Sequence, residues 1–319
     1  MKFLITGGAG FIGSHAAEHL LSLGHQVVAL DNFDPFYSPA RKRRNVETAL
    51  AHPNYTLEEG DYGGPAIVRI LKSHSFDAVL HLAARGGVRP SIEDPFIYQR
   101  VNVASLMSLL EAMKEHGPRN IVAASSSAVY GDVTPAPFRE DAECLQPLSP
   151  YGATKRASEI YLGTWCSLYK FKAIVVRPFT VYGPRQRPDM AIAAFAQKIL
   201  MGEPITLYGE GTSARDYTYV SDIVDGLTSA LLFPVSFGIY NLGSSAPATL
   251  SELVATLERT IGKKAIIVRA ERQKGDVEKT YADIAKARRD LNFNPKVNLE
   301  EGIRRTVAWA KEEIQIRKS

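Results

Sequence analysis

The stretch Lys2-Phe-Leu-Ile-Thr-Gly-Gly-Ala-Gly-Phe-Ile-Gly13 decides the fold. A short apolar run, Lys2–Thr6, meets a glycine-rich turn, and a helix follows to about Leu23 and stops at Gly24. A second apolar run, Gln26–Leu30, ends on Asp31. This strand, glycine turn, helix, strand and acid make a unit of the kind that binds dinucleotides. Gly7 permits the tight turn, Gly10 lets backbone N–H groups of the helix start approach a pyrophosphate, and Gly13 lets helix and strand pack closely. Asp31 is placed to accept both ribose hydroxyls of an adenosine and to repel a 2′-phosphate, which points to NAD rather than NADP.

The alternation continues outward from that unit. Tyr55–Glu59 reads as a strand ending in Gly60-Asp61-Tyr62, then a helix over Pro65–His74, then a strand over Phe76–Leu82 that runs into Ala83-Ala84. A long helical stretch covers Pro95–His116, and Asn120–Ala124 is the next strand, ending in Ser125-Ser126-Ser127. Strands alternating with helices predict an α/β fold, a doubly wound parallel sheet with helices on both faces. Ligands bind beyond the carboxyl ends of such strands, where Asp31, Asp61, Ala83 and Ser125–Ser127 all fall.

Tyr151 and Lys155 stand one helical turn apart in Pro150-Tyr-Gly-Ala-Thr-Lys155 and so share a face. A phenol titrates near pH 10, and a cation held close favours the phenolate. Lowering its pKa by about 3 units takes roughly 4 kcal/mol of differential interaction. Alone the pair is a weak signal; beside a dinucleotide unit it reads as a proton-transfer group.

Lys172–Arg177 is another buried strand. The regular alternation loosens after Pro178-Phe-Thr-Val-Tyr-Gly-Pro184. We expect a nucleotide-binding domain over residues 1–182 and a smaller C-terminal α/β domain over 183–319. A helix at Val220–Leu232 and a strand at Ile239–Leu242 lie within residues 216–243, which are expected to return to the first sheet. Thr249–Ile261 and Leu299–Ile314 have helical periodicity.

Length and composition bound the function. The 319 residues are 45% hydrophobic and 23% charged, as in a soluble globular protein, and the net charge of +4 suits a small anionic substrate. No Lys/Arg tract with interleaved aromatics points to nucleic acid. The densest basic cluster, Arg41-Lys42-Arg43-Arg44, reads as a solvated helix face. Two cysteines, Cys144 and Cys166, form neither a disulfide framework nor a metal spacing, and no metal is expected. No apolar run reaches the roughly 20 residues needed to span a bilayer. The chain opens on a strand, so no leader is expected and a reducing cytoplasm is the expected compartment. His15 and His19 read as helix surface facing no carboxylate, His81 as packed within a strand, and Trp165 and Trp309 as packing residues.

Taken together, Gly7–Gly13, Asp31-Asn32, Gly60-Asp61, Leu82-Ala-Ala84, Ser125–Ser127, Tyr151-x-x-x-Lys155 and Gly211-Thr-Ser-Ala-Arg-Asp-Tyr217 resemble the extended short-chain dehydrogenase/reductase superfamily, in particular its nucleotide-sugar epimerases and dehydratases. The resemblance covers essentially the whole chain. It implies a Rossmann fold with tightly held NAD. It also implies that the tyrosine takes the proton of a sugar 4-hydroxyl while C4 gives up hydride, and that the ketone turns over before hydride returns to its other face. Tyr151 is then the base, Lys155 bonds the nicotinamide ribose and lowers the tyrosine pKa, and Ser126 bonds the reacting oxygen. The resemblance further implies NAD contacts at Gly7, Gly10, Phe11, Ile12, Gly13, Asp31, Asn32, Asp61, Tyr62, Leu82, Ala83, Ala84, Asn102, Ser125 and Pro178.

The dehydratases of this superfamily carry an Asp-Glu pair where this chain has Ser126-Ser127-Ala128, so elimination is not expected. Asp31-Asn-Phe-Asp-Pro-Phe-Tyr37, Gly183-Pro-Arg-Gln-Arg-Pro-Asp-Met190, Gln273–Val277, Thr280–Asp283 and Gly86–Ser91 are most similar to the group that epimerizes UDP-glucuronate at C4. A UDP-uronate carries two phosphates and a carboxylate, groups that arginine forks suit. The resemblance places Arg215 on the diphosphate and Asp276 on the uridine ribose; Arg89 and Arg187 are further anion-binding candidates, and Thr180 and Ser127 are placed to bond the sugar carboxylate. That group usually has a hydroxyl residue before Val-Tyr-Gly, where this chain has Ala128. UDP-glucose and UDP-N-acetylglucosamine epimerases, a UDP-uronate decarboxylase, a net dehydrogenase and a non-enzymatic NAD-binding sensor therefore stay open. A homodimer through the helices near Pro95–His116 and Tyr151–Lys170 is the expectation that goes with the family.

Overall fold

Seven parallel strands form the central sheet: β1 (Lys2–Thr6), β2 (Gln26–Asp31), β3 (Tyr55–Glu59), β4 (Ala78–His81), β5 (Asn120–Ala124), β6 (Lys172–Pro178) and a last strand, Phe237–Leu242. The computed structural model describes residues 1–271, 275 and 277–316. Across the sheet the order is β3-β2-β1-β4-β5-β6, with Phe237–Leu242 beside β6 at the far edge. Phe3 pairs with Val27 on one side and Ala78 on the other, so β1 is central. The order reverses between β1 and β4, which opens a crevice at the carboxyl ends of those strands.

Strand side chains alternate between two buried layers, as the two-residue period requires. Phe3, Ile5, Val27, Ala29, Leu80, Val122, Ile174 and Val176 face one core; Leu4, Val28, Leu30, Val79, Ile121, Ala123, Ala173 and Val175 face the other. Both faces being covered explains why these strands read as continuous apolar runs rather than alternating ones. Each fully buried aliphatic side chain contributes about 1.5–3 kcal/mol.

Beyond β6 the chain builds two small sheets. Thr180–Tyr182 (β7), Ala214–Tyr219 (β9) and Pro247–Thr249 (β11) form one; Ile205–Tyr208 (β8) and Ile267–Ala270 (β12) form the other. The edge strand Phe237–Leu242 is then β10 in chain order. The helix Leu250–Ile261 starts on a capping box, in which Thr249 and Glu252 satisfy each other's backbone N–H. The helical stretch expected over Pro95–His116 is continuous but widens into a π-type turn at Gln99–Ala104. Among the described residues no helix is long and apolar enough to cross a membrane.

Two sequence expectations fail here for tertiary reasons. Arg41–Arg44 is only in part a solvated face, with Arg43 exposed and Arg41 and Lys42 buried. Lys42 is buried with Nζ 3.8 Å from Asp31 Oδ1, Arg43 lies over the Phe33 ring and bonds Glu59, and Arg44 reaches Glu313 on the last helix at 3.0 Å. Nor is the His15/His19 pair bare surface. His15 Nε2 lies 3.0 Å from the Pro184 carbonyl oxygen, tying the first helix to the loop after β7, and His19 Nε2 lies 3.8 Å from Asp225. Helix periodicity alone cannot show a partner that arrives from 170 to 270 residues away. His81 and Trp165 are buried, as expected.

Candidate active site

The crevice at the strand ends opens into one continuous cavity of about 1020 Å³. A single ligand site usually measures about 300–1,000 Å³, so this one has room for two ligands. One end is the glycine turn. Gly7 takes a positive φ of 73°, and an added Cβ there would lie 2.8 Å from the backbone nitrogen of Ala83. A Cβ on Gly13 would lie 2.1 Å from the Gly7 carbonyl oxygen. The first helix, Phe11–Ser22, starts at Gly10 without a side-chain cap and without an acid in its first turn. Its opening N–H groups are left for an anion, and Gly10, Phe11, Ile12 and Gly13 line the cavity there. This cradle fits a dinucleotide pyrophosphate.

Asp31 and Asp61, the acids expected to meet an adenosine, both line the cavity. Asp31 is buried at the end of β2, where Oδ2 accepts from Ala9 N at 3.1 Å and Oδ1 from Phe33 N at 2.8 Å. Asp61 accepts from Gly63 N and from the Asn32 amide. Asn32, Tyr62, Leu82, Ala83, Ala84 and Pro178 line the cavity as well. Two residues expected to touch the cofactor are turned elsewhere. Asn102 is buried and bonds the Arg85 backbone on both sides and Thr154 Oγ1. Ser125 is buried beneath the cavity floor, where its hydroxyl donates to Glu159 at 2.6 Å. Both serve the walls rather than the space.

Tyr151 sits at the start of the helix Pro150–Tyr169, which Ser149 caps by accepting from Gly152 N at 3.1 Å. The phenol lines the cavity and is hydrogen-bonded by Ser126. Burial pushes its pKa up, while the Ser126 hydrogen bond and the Arg187 charge pull the other way. The cation whose charge reaches the phenol is Arg187. Lys155 lies below the floor and donates to the Ala124 carbonyl at 2.7 Å. Burial lowers its pKa to about 8, opposed by Glu159.

At the far end Arg89, Ser127, Thr180, Arg187 and Arg215 all line the cavity. Arg89 stacks over the Tyr208 ring at 4.4 Å, and Arg215 bonds the backbone carbonyls of Ala214 and Glu278. Asp276 and Gln273 lie outside the described residues; Gly275 and Val277 beside them line the cavity. Sequence reasoning did not single out Phe36, Arg85 or Asp189. Phe36 lies between two guanidinium groups, 4.4 Å from Arg85 and 5.2 Å from Arg187, each paired with a carboxylate, Asp34 and Asp189. Phe36 and Asp189 fall in stretches already noted by similarity, whereas Arg85 lies between two of them and carried no signal.

Residues 3–243 match the model of the NAD dependent epimerase/dehydratase family, a span that ends just past the edge strand Phe237–Leu242. The chain is 42% identical over 319 residues to a UDP-glucuronate 4-epimerase of Thermodesulfobacterium geofontis, covering 99% of this chain and 98% of that one. Among solved structures, a Bacillus cereus UDP-glucuronic acid 4-epimerase in complex with UDP-glucuronic acid and NAD aligns with a TM-score of 0.93 at 33% identity, covering 98% of this chain and 100% of that one. A Thermotoga maritima UDP-glucose 4-epimerase with UDP-glucose aligns with a TM-score of 0.90 at 32% identity, covering 98% and 100%. With its glycine cradle, its Tyr151/Ser126 pair and these likenesses over nearly the full length, the chain belongs to the NAD dependent epimerase/dehydratase family.

Proposed function

We propose that the protein is an NAD-dependent UDP-sugar 4-epimerase that interconverts UDP-glucuronate and UDP-galacturonate. The observation that carries this reading is that Tyr151, Ser126 and Arg187 share the wall of one cavity that starts in a dinucleotide cradle. NAD, when bound, supplies a reversible hydride acceptor for C4 of the sugar. The glycine turn and the first helix hold its pyrophosphate, and Asp31 and Asp61 hold the adenosine end. Tyr151 Oη takes the proton of the 4-hydroxyl and returns one to the ketone oxygen after the sugar has turned. Ser126 holds that oxygen. Arg215 takes the diphosphate, with Asp276 on the uridine ribose and Arg89 as a further anion contact. Arg187, Thr180 and Ser127 face the sugar carboxylate. Residues 183–319 supply most of the sugar-nucleotide half, and residues 1–182 the cofactor half.

Retention of the carboxylate is the reading preferred over decarboxylation. Oxidation at C4 makes a β-keto acid, and a carboxylate held by Thr180 and Ser127 is kept away from the geometry that releases carbon dioxide. The pure protein, given UDP-glucuronate, UDP-glucose or UDP-N-acetylglucosamine without added cofactor and followed by NMR, is expected to equilibrate the first with its C4 epimer fastest. Turnover of none sinks the epimerase reading. A UDP-pentose product points to the decarboxylase, and net NADH to a dehydrogenase. We further infer a homodimer through the exposed apolar Phe96, Ile160 and Leu168, tested by sedimentation equilibrium.

A further inference from the structure

Three residues one turn apart on the helix Pro150–Tyr169 grip three successive residues at the end of β5. Tyr151 meets Ser126, Lys155 donates to the Ala124 carbonyl at 2.7 Å, and Glu159 accepts from the Ser125 hydroxyl at 2.6 Å. Positions i, i+4 and i+8 share a helix face, so one face of this helix sets the whole strand end. Tyr151 and Lys155 were expected to act; Glu159 was not. It is 1% exposed, more deeply buried than Lys155 at 5%. A carboxylate that deep persists only if its lone pairs are filled and its charge is met. Arg177 from β6 meets it with two bonds of 2.8 Å, from Nε to Oε1 and from Nη2 to Oε2, and Arg156 Nη1 adds a third at 3.1 Å.

The charges around Lys155 decide what Glu159 does. His81 from β4 faces it and is neutral, because burial holds its pKa near 3. Tyr151 on its own helix carries a protonated phenol in the cofactor-free state. Behind Glu159 stand Arg177, Arg156, the Cys144 thiol, which burial pushes up, and the Tyr130 ring under the Arg177 guanidinium. A small cavity beneath the main one is lined by His81, Asn102, Ser125, Lys155, Ser158 and Glu159. Glu159 is the carboxylate whose charge reaches Lys155. A buried ammonium in apolar surroundings loses its proton readily, and an opposite charge nearby retains it.

We propose that Glu159 is a positioning residue for this site: its carboxylate keeps Lys155 charged and fixes the Ser125–Ser126 strand end against Tyr151. The part assigned to catalysis rests on the epimerase reading; the charge of Lys155 does not. A neutral Lys155 would hold no ribose hydroxyl by charge. Arg177 is bound into the same device through its two bonds to Glu159.

The test uses the NAD-loaded full chain with 13C-labelled lysine, the Lys155 signal being assigned by Lys155→Met. Glu159→Gln keeps the size and an acceptor for Ser125 but removes the charge. The midpoint of the Lys155 titration, read by NMR, is expected to fall by about one pH unit or more. The alkaline limb of the kcat profile is expected to move down with it, so activity drops far more at pH 8.5 than at pH 6.5. A purely structural role would lower kcat evenly with pH and leave the Lys155 midpoint where it was, which overturns the proposal. Should Glu159→Gln fail to fold, the double variant Glu159→Leu/Arg177→Met removes both buried charges at similar volume and is expected to show the same Lys155 shift. Failure of both variants to fold also overturns it, in favour of a structural pair. The NMR titration reads Lys155 whatever the sugar, so an error in the substrate reading shows separately as absent turnover in the parent protein.

Discussion

Arg187 spreads its guanidinium across the Asp189 carboxylate, with Nε 3.0 Å from Oδ1 and Nη2 2.8 Å from Oδ2. The remaining nitrogen, Nη1, lies against Gly86, where an added Cβ would stand only 2.2 Å away. The fork that a uronate carboxylate needs is thus already matched by an internal carboxylate. Charge-assisted bonds are each worth about 1.5–3 kcal/mol. Arg187→Ala is expected to lower kcat/KM for UDP-glucuronate about 10–100-fold relative to UDP-glucose. Asp189→Asn, which frees the fork, is expected to lower KM for UDP-glucuronate and not for UDP-glucose. Steady-state kinetics on both substrates check the pair; equal effects on both would remove Arg187 from carboxylate recognition.

Removing the Tyr151 hydroxyl tests the base. Tyr151→Phe is expected to keep NAD, measured as cofactor retained after gel filtration, and to lose at least about 10³-fold in kcat, within the range for general acid–base groups. An active variant refutes the assignment.

Ser126 acts on the same phenol from the other side. Its hydrogen bond lowers the Tyr151 pKa against the effect of burial. With the phenolate as the proposed base, activity is expected to rise with pH through that pKa. Ser126→Ala raises the pKa and is expected to shift the acidic limb of kcat/KM to higher pH, with a loss of about 10-fold at neutral pH. An unmoved limb would mean that Ser126 only caps the turn through Ala128 N, which it also does at 3.1 Å.

The glycine cradle makes a stability prediction. A Cβ on Gly13 meets the Gly7 carbonyl oxygen at 2.1 Å, backbone against backbone, with no flexible side chain to give way. Gly13→Ala is expected to cost about 1–3 kcal/mol in urea unfolding and to purify without NAD. Gly24, with nothing within 4 Å and a φ of 80°, offers the contrast: Gly24→Ala costs only backbone strain and keeps the cofactor.

His81 makes a pH prediction. Buried against Thr6 Oγ1 at 2.8 Å, it titrates near pH 3 when folded and near 6.5 when unfolded. Below pH 6.5 the unfolded chain takes up a proton that the folded chain refuses. Stability from neutral His81 is therefore complete above pH 6.5 and is lost as pH falls towards 3, at up to about 1.4 kcal/mol per unit. The loss between pH 7 and pH 5 is expected to be about 1–2 kcal/mol smaller in His81→Gln. Equal losses would mean that His81 charges in place.

Local spacing carried a large share of this protein. The glycine turn, the acid at the end of β2, the alternating strands and the Tyr151/Lys155 pair were legible because each depends on neighbours within a turn or a strand. Whether Arg41–Arg44 meets water or Glu313, or whether Asn102 and Ser125 face the cofactor or the walls, depends on contacts between distant segments. Spacing predicts that Tyr151 and Lys155 share a helix face; it does not say that Lys155 bonds Ala124 below the floor while Arg187, more than thirty residues further on, supplies the charge acting on the phenol. The sequence by itself determined the sheet and the glycine cradle and singled out Tyr151 as the candidate base. Only the tertiary structure decided which charges act on that base, because Coulomb interactions and desolvation depend on distance and burial in space, not on separation along the chain.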